Sequence, residues 1–402
     1  MIKKINLISL IFVVAIFAES KPFKGFSVFL IGEPHQDSVF MNTVPAGEGA
    51  IFSLAETPDG GVLGATRILR GKTPWLFYFD PLKKKIEQKN TWQLTKFFSG
   101  ESCVTALVAA SNGKIYGSTS NLVNIAYNFK KDIEALNYKG GHVFTVECSA
   151  SKFELKDLGI PFPGEGIVTL TADYSGSNIY GVTVPSQIFF RINTTTGKIE
   201  KVGSLDTLEM DQRRYMGKSS MALVSDTVGN IYGSRFGGRL FKFDAKSGLV
   251  DTINVPLPTV DGQSYDCVSA FIRTKSGRIF GGTFLDGKLF EFIPSSKRIV
   301  DLGITSRTGN VCGLVEKDNI LYGLSGGKDS PKKLFAYNIS TGEYYQYPSN
   351  LRVFFDGKPD HRWRPYFLKN LLLLKNGQIA TAEDDSQGHF YLWEPVKVDF
   401  VR

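Results

Sequence analysis

A glycine-aromatic phrase returns seven times along this chain. It reads GVLG (61–64), KIYG (114–117), NIYG (178–181 and again 230–233), RIFG (278–281), ILYG (320–323) and, in degenerate form, QIAT (378–381). A second phrase follows each copy: LFYF (76–79), VFTV (143–146), IFFR (188–191), LFKF (240–243), LFEF (289–292), LFAY (334–337) and FYLW (390–393). Consecutive copies lie roughly 42–64 residues apart, a spacing that suits four short strands per unit and is too long for leucine-rich or ankyrin repeats. Turn signals such as TPDGG, ASNGK and TKSGR fall between the strands, where hairpins place glycine or asparagine at positive φ.

This pattern predicts an all-β fold, a seven-bladed β-propeller of four-stranded antiparallel blades. The blades are expected near 47–99, 100–160, 164–210, 217–260, 265–305, 309–350 and 366–402, within a single domain over 19–402. A unit of this kind exposes two apolar faces that only its neighbours can cover, so a ring closes. Either the segment near Phe26 to Ile31 or the C-terminal VKVDFVR completes the last blade. Two separate β-sandwiches are the alternative architecture, but they need no repeat this regular. The 41 glycines and 13% aromatic content agree with many short strands, and no long stretch of helical periodicity is present.

Residues 1–18 carry Lys3 and Lys4, then an apolar run from Ile5 to Ala18, the layout of a secretory signal peptide cleaved after Ala18. The run is short for a membrane span, so the expected location is secreted or periplasmic, without a membrane anchor after cleavage. Cys103, Cys148, Cys267 and Cys312 lack metal-binding spacing and read as buried free thiols. A formal net charge of +8 on an exported chain favours an acidic polysaccharide or an extracellular protein as partner over nucleic acid. The protein is expected to be a monomer. No cofactor, metal or nucleotide signature is found, and Glu383, Asp384 and Asp385 form the one acidic knot.

Alternating strand directions put several positions of each unit on one loop-rich face. Two residues past each glycine the ring reads Thr66, Thr119, Thr183, Arg235, Thr283, Ser325 and Glu383. Small hydroxyls are the default there, expected to bond between blades, and Arg235 and Glu383 break it. The residue before each third strand gives Trp75, His142, Gln187, Arg239, Lys288, Lys333 and His389, a ring rich in donors and cations. Glu48, Glu101 and Glu165 open the first strands and are expected to bind backbone amides of adjoining turns. Three long connections reach the same face. The insertion at 121–140 delivers His142, the loop EMDQRRYMGK carries Tyr215, and DGKPDHRWRPY carries His361 and Trp363.

The unit GNIYGSRFGGRLFKFD (229–244) resembles the repeat of secreted bacterial seven-bladed propellers and, more loosely, that of propeller-type ulvan lyases. That resemblance implies histidine, tyrosine and arginine on one face, cleaving an acidic polysaccharide by β-elimination; His142, Tyr215 and Arg235 supply those types. The chemistry needs a cation on the uronate carboxylate, a base for the neighbouring proton and an acid for the leaving oxygen. Trp75, Arg239, Lys288, Lys333, His361, Trp363, Glu383 and His389 are the expected ligand-binding residues. The preferred expectation is a binding protein for an acidic glycan or protein. A polysaccharide lyase is the first alternative, and a lactonase or other hydrolase the second.

Overall fold

The computed structural model describes residues 27–30, 44–45, 47–69, 71–121, 137–205, 220–235, 237–260, 266–306, 309–327, 332–347, 353–354, 362–363, 367–385 and 388–394. The described elements are strands apart from two single-turn 3-10 helices, Leu94–Lys96 and Pro294–Ser296. Each unit is an antiparallel meander. The third unit shows the plan: Gly166–Ala172, Asn178–Val184, Ile188–Asn193 and Ile199–Ser204, hydrogen-bonded in that order. First strands neighbour one another around a closed ring, from Ala50–Glu56 through Cys103–Ala109 and onward to Leu368–Leu373, which returns to Ala50–Glu56.

The repeated glycine has a packing cause. A Cβ on Gly64, Gly117, Gly181, Gly233, Gly281 or Gly323 would sit 2.0–2.6 Å from the ring of Phe77, Phe144, Phe190, Phe241, Phe290 or Phe335 respectively. Those are cross-strand neighbours in register, so each third-strand phenylalanine lies flat on the strand beside it. The glycine supplies the space and the phenylalanine fills the core between sheets. In the last unit Thr381 opposes Tyr391, and the tyrosine hydroxyl reaches Glu383 at 2.9 Å instead. That exchange accounts for the degenerate QIAT.

The expectation of seven four-stranded blades is corrected. Five sheets have four strands, and the first two units merge into one eight-stranded sheet. Arg67 at the end of Val62–Arg67 pairs with Cys103 at the start of Cys103–Ala109, and the Ile68 amide donates to the Ser102 carbonyl at 2.8 Å. Backbone pairing therefore runs across what the repeat presents as a boundary. A separate two-stranded ribbon joins Val353–Phe354 to Arg362–Trp363.

Of the two candidates for completing the last sheet, the N-terminal one is found. Ser27–Leu30 pairs antiparallel with His389–Trp393, so the four-stranded sheet combines both ends of the described chain. All four cysteines are free thiols. Among the described residues no helix is long and apolar enough to cross a membrane.

Candidate functional site

On the loop-rich face the acidic residues that open the first strands are sunk below the surface. Glu48 accepts the Lys72 and Thr73 amides and the Trp75 indole N–H, the last at 2.7 Å. Glu165 takes the Thr183 hydroxyl at 2.7 Å and the Ser186 amide at 2.9 Å. Glu101 accepts the Tyr138 hydroxyl at 2.9 Å; burial pushes the Glu101 carboxyl up, and burial together with that carboxylate pushes the tyrosine hydroxyl up. Asp266 does the same work in the fifth unit, accepting the amides of Phe284, Leu285 and Asp286. The amide-binding role expected of the glutamates is thus observed for Glu48 and Glu165, while Glu101 is held by the Tyr138 hydroxyl. Asp266 was missed because no glycine precedes it in the sequence.

The ring of small hydroxyls works within units rather than between them. Thr66, Thr119, Thr183 and Thr283 accept the amides of Trp75, His142, Ile188 and Lys288 at 2.8–3.1 Å, fixing where each third strand begins. Ser325 is the exception, donating to the Thr305 carbonyl of the preceding unit at 3.2 Å.

Residues at the start of the third strands reach outward to their own fourth strands. His142 Nδ1 lies 3.0 Å from Asp157, with the Phe98 ring at 4.6 Å from its own. Lys288 Nζ lies 2.7 Å from Asp301. In the fourth unit Arg239 bonds Asn254 and its cross-strand neighbour Arg235 bonds Thr252. Asp157 and Asp301 each also accept the amide of a glycine two residues on, Gly159 or Gly303, at positive φ. Lys333 begins its strand opposite Ser325. His142 and Arg235 share no partner. Tyr215 and His361 lie outside the described residues, and only the backbone of Trp363 is described, paired with Val353.

Glu383 and His389 are brought together, both buried, with His389 Nδ1 against Glu383 Oε2. With Asp385 they place three donor atoms within 4.8 Å of one another, a spacing close enough for a cation. Glu383 is already engaged by His389 and Tyr391, and Asp385 accepts the Gly388 amide at 3.3 Å, so the group forms a closed hydrogen-bonded knot.

Next to it lies a cluster that the sequence reading did not find. Two residues before the apolar residue facing each repeat glycine, or Thr381, the chain places Phe52, Thr105, Val168, Met221, Ser269, Cys312 and Lys369. Lys369 is the one charged member. Its Nζ lies 3.0 Å from the centroid of the Phe52 ring and 3.8 Å from Asp384, to which Arg67 is also paired. Ser269 and Cys312 of the same ring line a central cavity of about 290 Å³, together with Leu54, Leu170, Phe271 and Leu314. The signal was available in the first strands, had they been aligned as the second and third were.

No family model matches the chain, and no curated protein matches it. Solved structures do resemble it. A streptogramin B lyase is 10% identical, over 93% of this chain and 99% of that one, with a TM-score of 0.60. A catalytically inactive virginiamycin B lyase from Staphylococcus aureus, with quinupristin, is 12% identical over 92% and 100%, with a TM-score of 0.58. The extracellular domain of a putative one-component system from B. thetaiotaomicron is 15% identical over 94% of this chain and 41% of that one, with a TM-score of 0.57. The fold is that of a β-propeller. At these identities the likeness carries the fold alone. It supports the propeller part of the resemblance read from the repeat and gives none to ulvan lyases.

Proposed function

We propose that this β-propeller is an exported binding protein for an acidic glycan, engaged through the basic residues of its loop-rich face. The observation that carries this reading is the unequal depth of the charges. Glu48, Glu101, Glu165 and Asp266 are buried and committed mainly to backbone and hydroxyl donors, whereas Arg235, Arg239 and Lys333 are partly exposed and Lys72 and Lys139 exposed. Around Arg235, Arg239, Lys333, Lys72 and Lys139 solvent therefore meets cations, which attract a polyanion and discriminate little between neutral sugars. The exposed carboxylates of Asp157 and Asp301 are set against His142 and Lys288.

Titration calorimetry with polygalacturonate, and with a neutral glucan of similar length, tests it. Binding of the polyuronate alone is expected, weakening with salt, and Arg235→Ala combined with Arg239→Ala is expected to reduce affinity about tenfold or more. Equal affinity for both polymers, or no binding, would overturn the reading; binding confined to an extracellular protein would assign the face to that partner class.

The His142–Asp157 pair favours a second reading, a lyase, because a carboxylate on one ring nitrogen orients an imidazole for proton transfer. Unsaturated uronate absorbance developing in the same mixtures, and lost in His142→Ala, would establish that alternative. Its absence leaves binding alone.

A further inference from the structure

Lys369 belongs to neither reading. It sits in the inner ring of first-strand residues whose other members, Phe52, Thr105, Val168, Met221, Ser269 and Cys312, are uncharged. The backbone bulges immediately after it, between Lys369 and Leu371, and the Asn370 amide group ties that bulge to the Phe52 carbonyl at 2.6 Å. The amine is thereby held over the Phe52 ring, 3.8 Å from the Asp384 carboxylate, with the Arg67 guanidinium on the same carboxylate and stacked 5.6 Å from the same ring. Its side chain keeps 23% exposure, so the group is enclosed without being sealed. An amine enclosed against an aromatic wall and beside a second cation has two neighbours that favour an amine nucleophile, a desolvating surface and a charge that disfavours protonation. The Asp384 carboxylate draws the other way and is placed to accept a proton.

We propose that Lys369 is a nucleophilic amine that condenses with the carbonyl of a small oxo acid or aldehydo acid, Arg67 recognising the acid's carboxylate and Asp384 relaying protons. The uncharged Nζ donates its lone pair to the carbonyl carbon, and the carbon–oxygen π pair moves to oxygen, which takes up a proton. Asp384 accepts the proton shed by the nitrogen. The hydroxyl then leaves as water as the nitrogen lone pair forms the C=N bond, and loss of the remaining N–H proton gives the neutral imine. One carbonyl and one amine give one imine and one water, with no change in oxidation state. Burial, opposed by the Asp384 carboxylate and aided by Arg67, pushes the Lys369 amine down to about 8, so an appreciable part of it is unprotonated under mildly alkaline conditions.

Reductive trapping tests this on the intact protein. Glyoxylate and, separately, acetaldehyde are supplied with cyanoborohydride at mildly alkaline pH, and the modified lysines are ranked by peptide mass mapping. With glyoxylate, Lys369 is expected to gain a carboxymethyl group about tenfold or more faster than the exposed Lys89 and Lys198. With acetaldehyde the preference for Lys369 is expected to shrink, and Arg67→Gln is expected to erase the difference between the two aldehydes. The wild-type ranking alone decides the nucleophile: Lys369 modified no faster than Lys89 and Lys198 would overturn the proposal, whatever the behaviour of any variant. A fast Lys369 with no preference for glyoxylate would overturn the assignment of Arg67 and of an acidic ligand.

Discussion

At the scale of single residues, the repeat is most informative where one copy departs from the others. Arg235 and Arg239 depart in sequence, yet in the structure each finds an acceptor on the outer strand of its own sheet. Lys369 departs by putting a charge into an otherwise uncharged inner ring, and that has a thermodynamic consequence. Its amine is pushed down to about 8 in the folded protein, by burial first, while in the unfolded chain it stays near the ordinary 10.5. Between those values the unfolded state binds more protons, so Lys369 makes stability rise with pH from about 8 to 10.5. Below about 8 the charged amine is a net cost to folding. Lys369→Met is therefore expected to stabilise the protein at neutral pH by on the order of 2 kcal/mol and to abolish that rise. Buried tyrosines such as Tyr322, pushed up to about 12, act in the opposite direction at alkaline pH. The measurement is accordingly the difference in urea midpoint between wild type and variant across this range; a difference that does not change with pH would contradict it.

Between the residue and the fold lie the strand connections, where an acidic side chain at the start of a first strand gathers the loop between the second and third. The Glu48 clasp holds the turn at Lys72 and Thr73 and the indole of Trp75 together, and a Cβ on Gly71 would meet the Glu48 side chain at 2.3 Å. Glu48→Ala leaves three buried or half-buried donors unpaired, at a cost of roughly 2–3 kcal/mol. It is expected to lower the melting temperature and shift Trp75 fluorescence, with Glu48→Gln, which keeps one acceptor oxygen, intermediate. An unchanged indole spectrum in the alanine variant would show that the clasp does not hold the tryptophan. These elements were the most legible part of the sequence, because glycine at 64, 117, 181, 233, 281 and 323 and phenylalanine opposite it are one packing solution repeated. The fusion of the first two units was not legible: it depends on backbone pairing of Arg67 with Cys103, which side-chain identity does not encode. The inner ring was hidden for a related reason, since its members share no residue type, only a place in the first strand.

For the molecule as a whole, the ring must be closed between segments more than 300 residues apart in sequence, and the entropy of that closure has to be offset by contacts at one seam. The seam combines an apolar cluster, in which Phe77 and Phe79 meet Phe390, with polar contacts. Arg67 pairs with Asp384, the Asn370 side chain reaches the Phe52 carbonyl, the Lys375 amide donates to Glu56 at 2.9 Å, and Ser27–Leu30 pairs along His389–Trp393. The strand pairing differs from the rest because it covers an edge as well as joining two units. Deleting Ser27–Leu30 would leave His389–Trp393 as a bare edge rich in Phe390, Tyr391, Leu392 and Trp393, a template for pairing with another chain. Asp384→Asn, by comparison, removes the carboxylate that Arg67 and Lys369 share, two ion pairs partly exposed to solvent and expected to contribute only about 1 kcal/mol each. The deletion should therefore lower the melting temperature well beyond the point variant and should alone make the protein self-associate, as followed by light scattering during a thermal ramp. If the two variants melted together and both stayed dispersed, ring closure would rest on the polar contacts and the terminal strand would be dispensable. The expectation favours the strand, since its register continues the sheet by main-chain pairing, which holds at any pH and salt at which the fold survives, while the Arg67–Asp384 pair weakens as salt screens it.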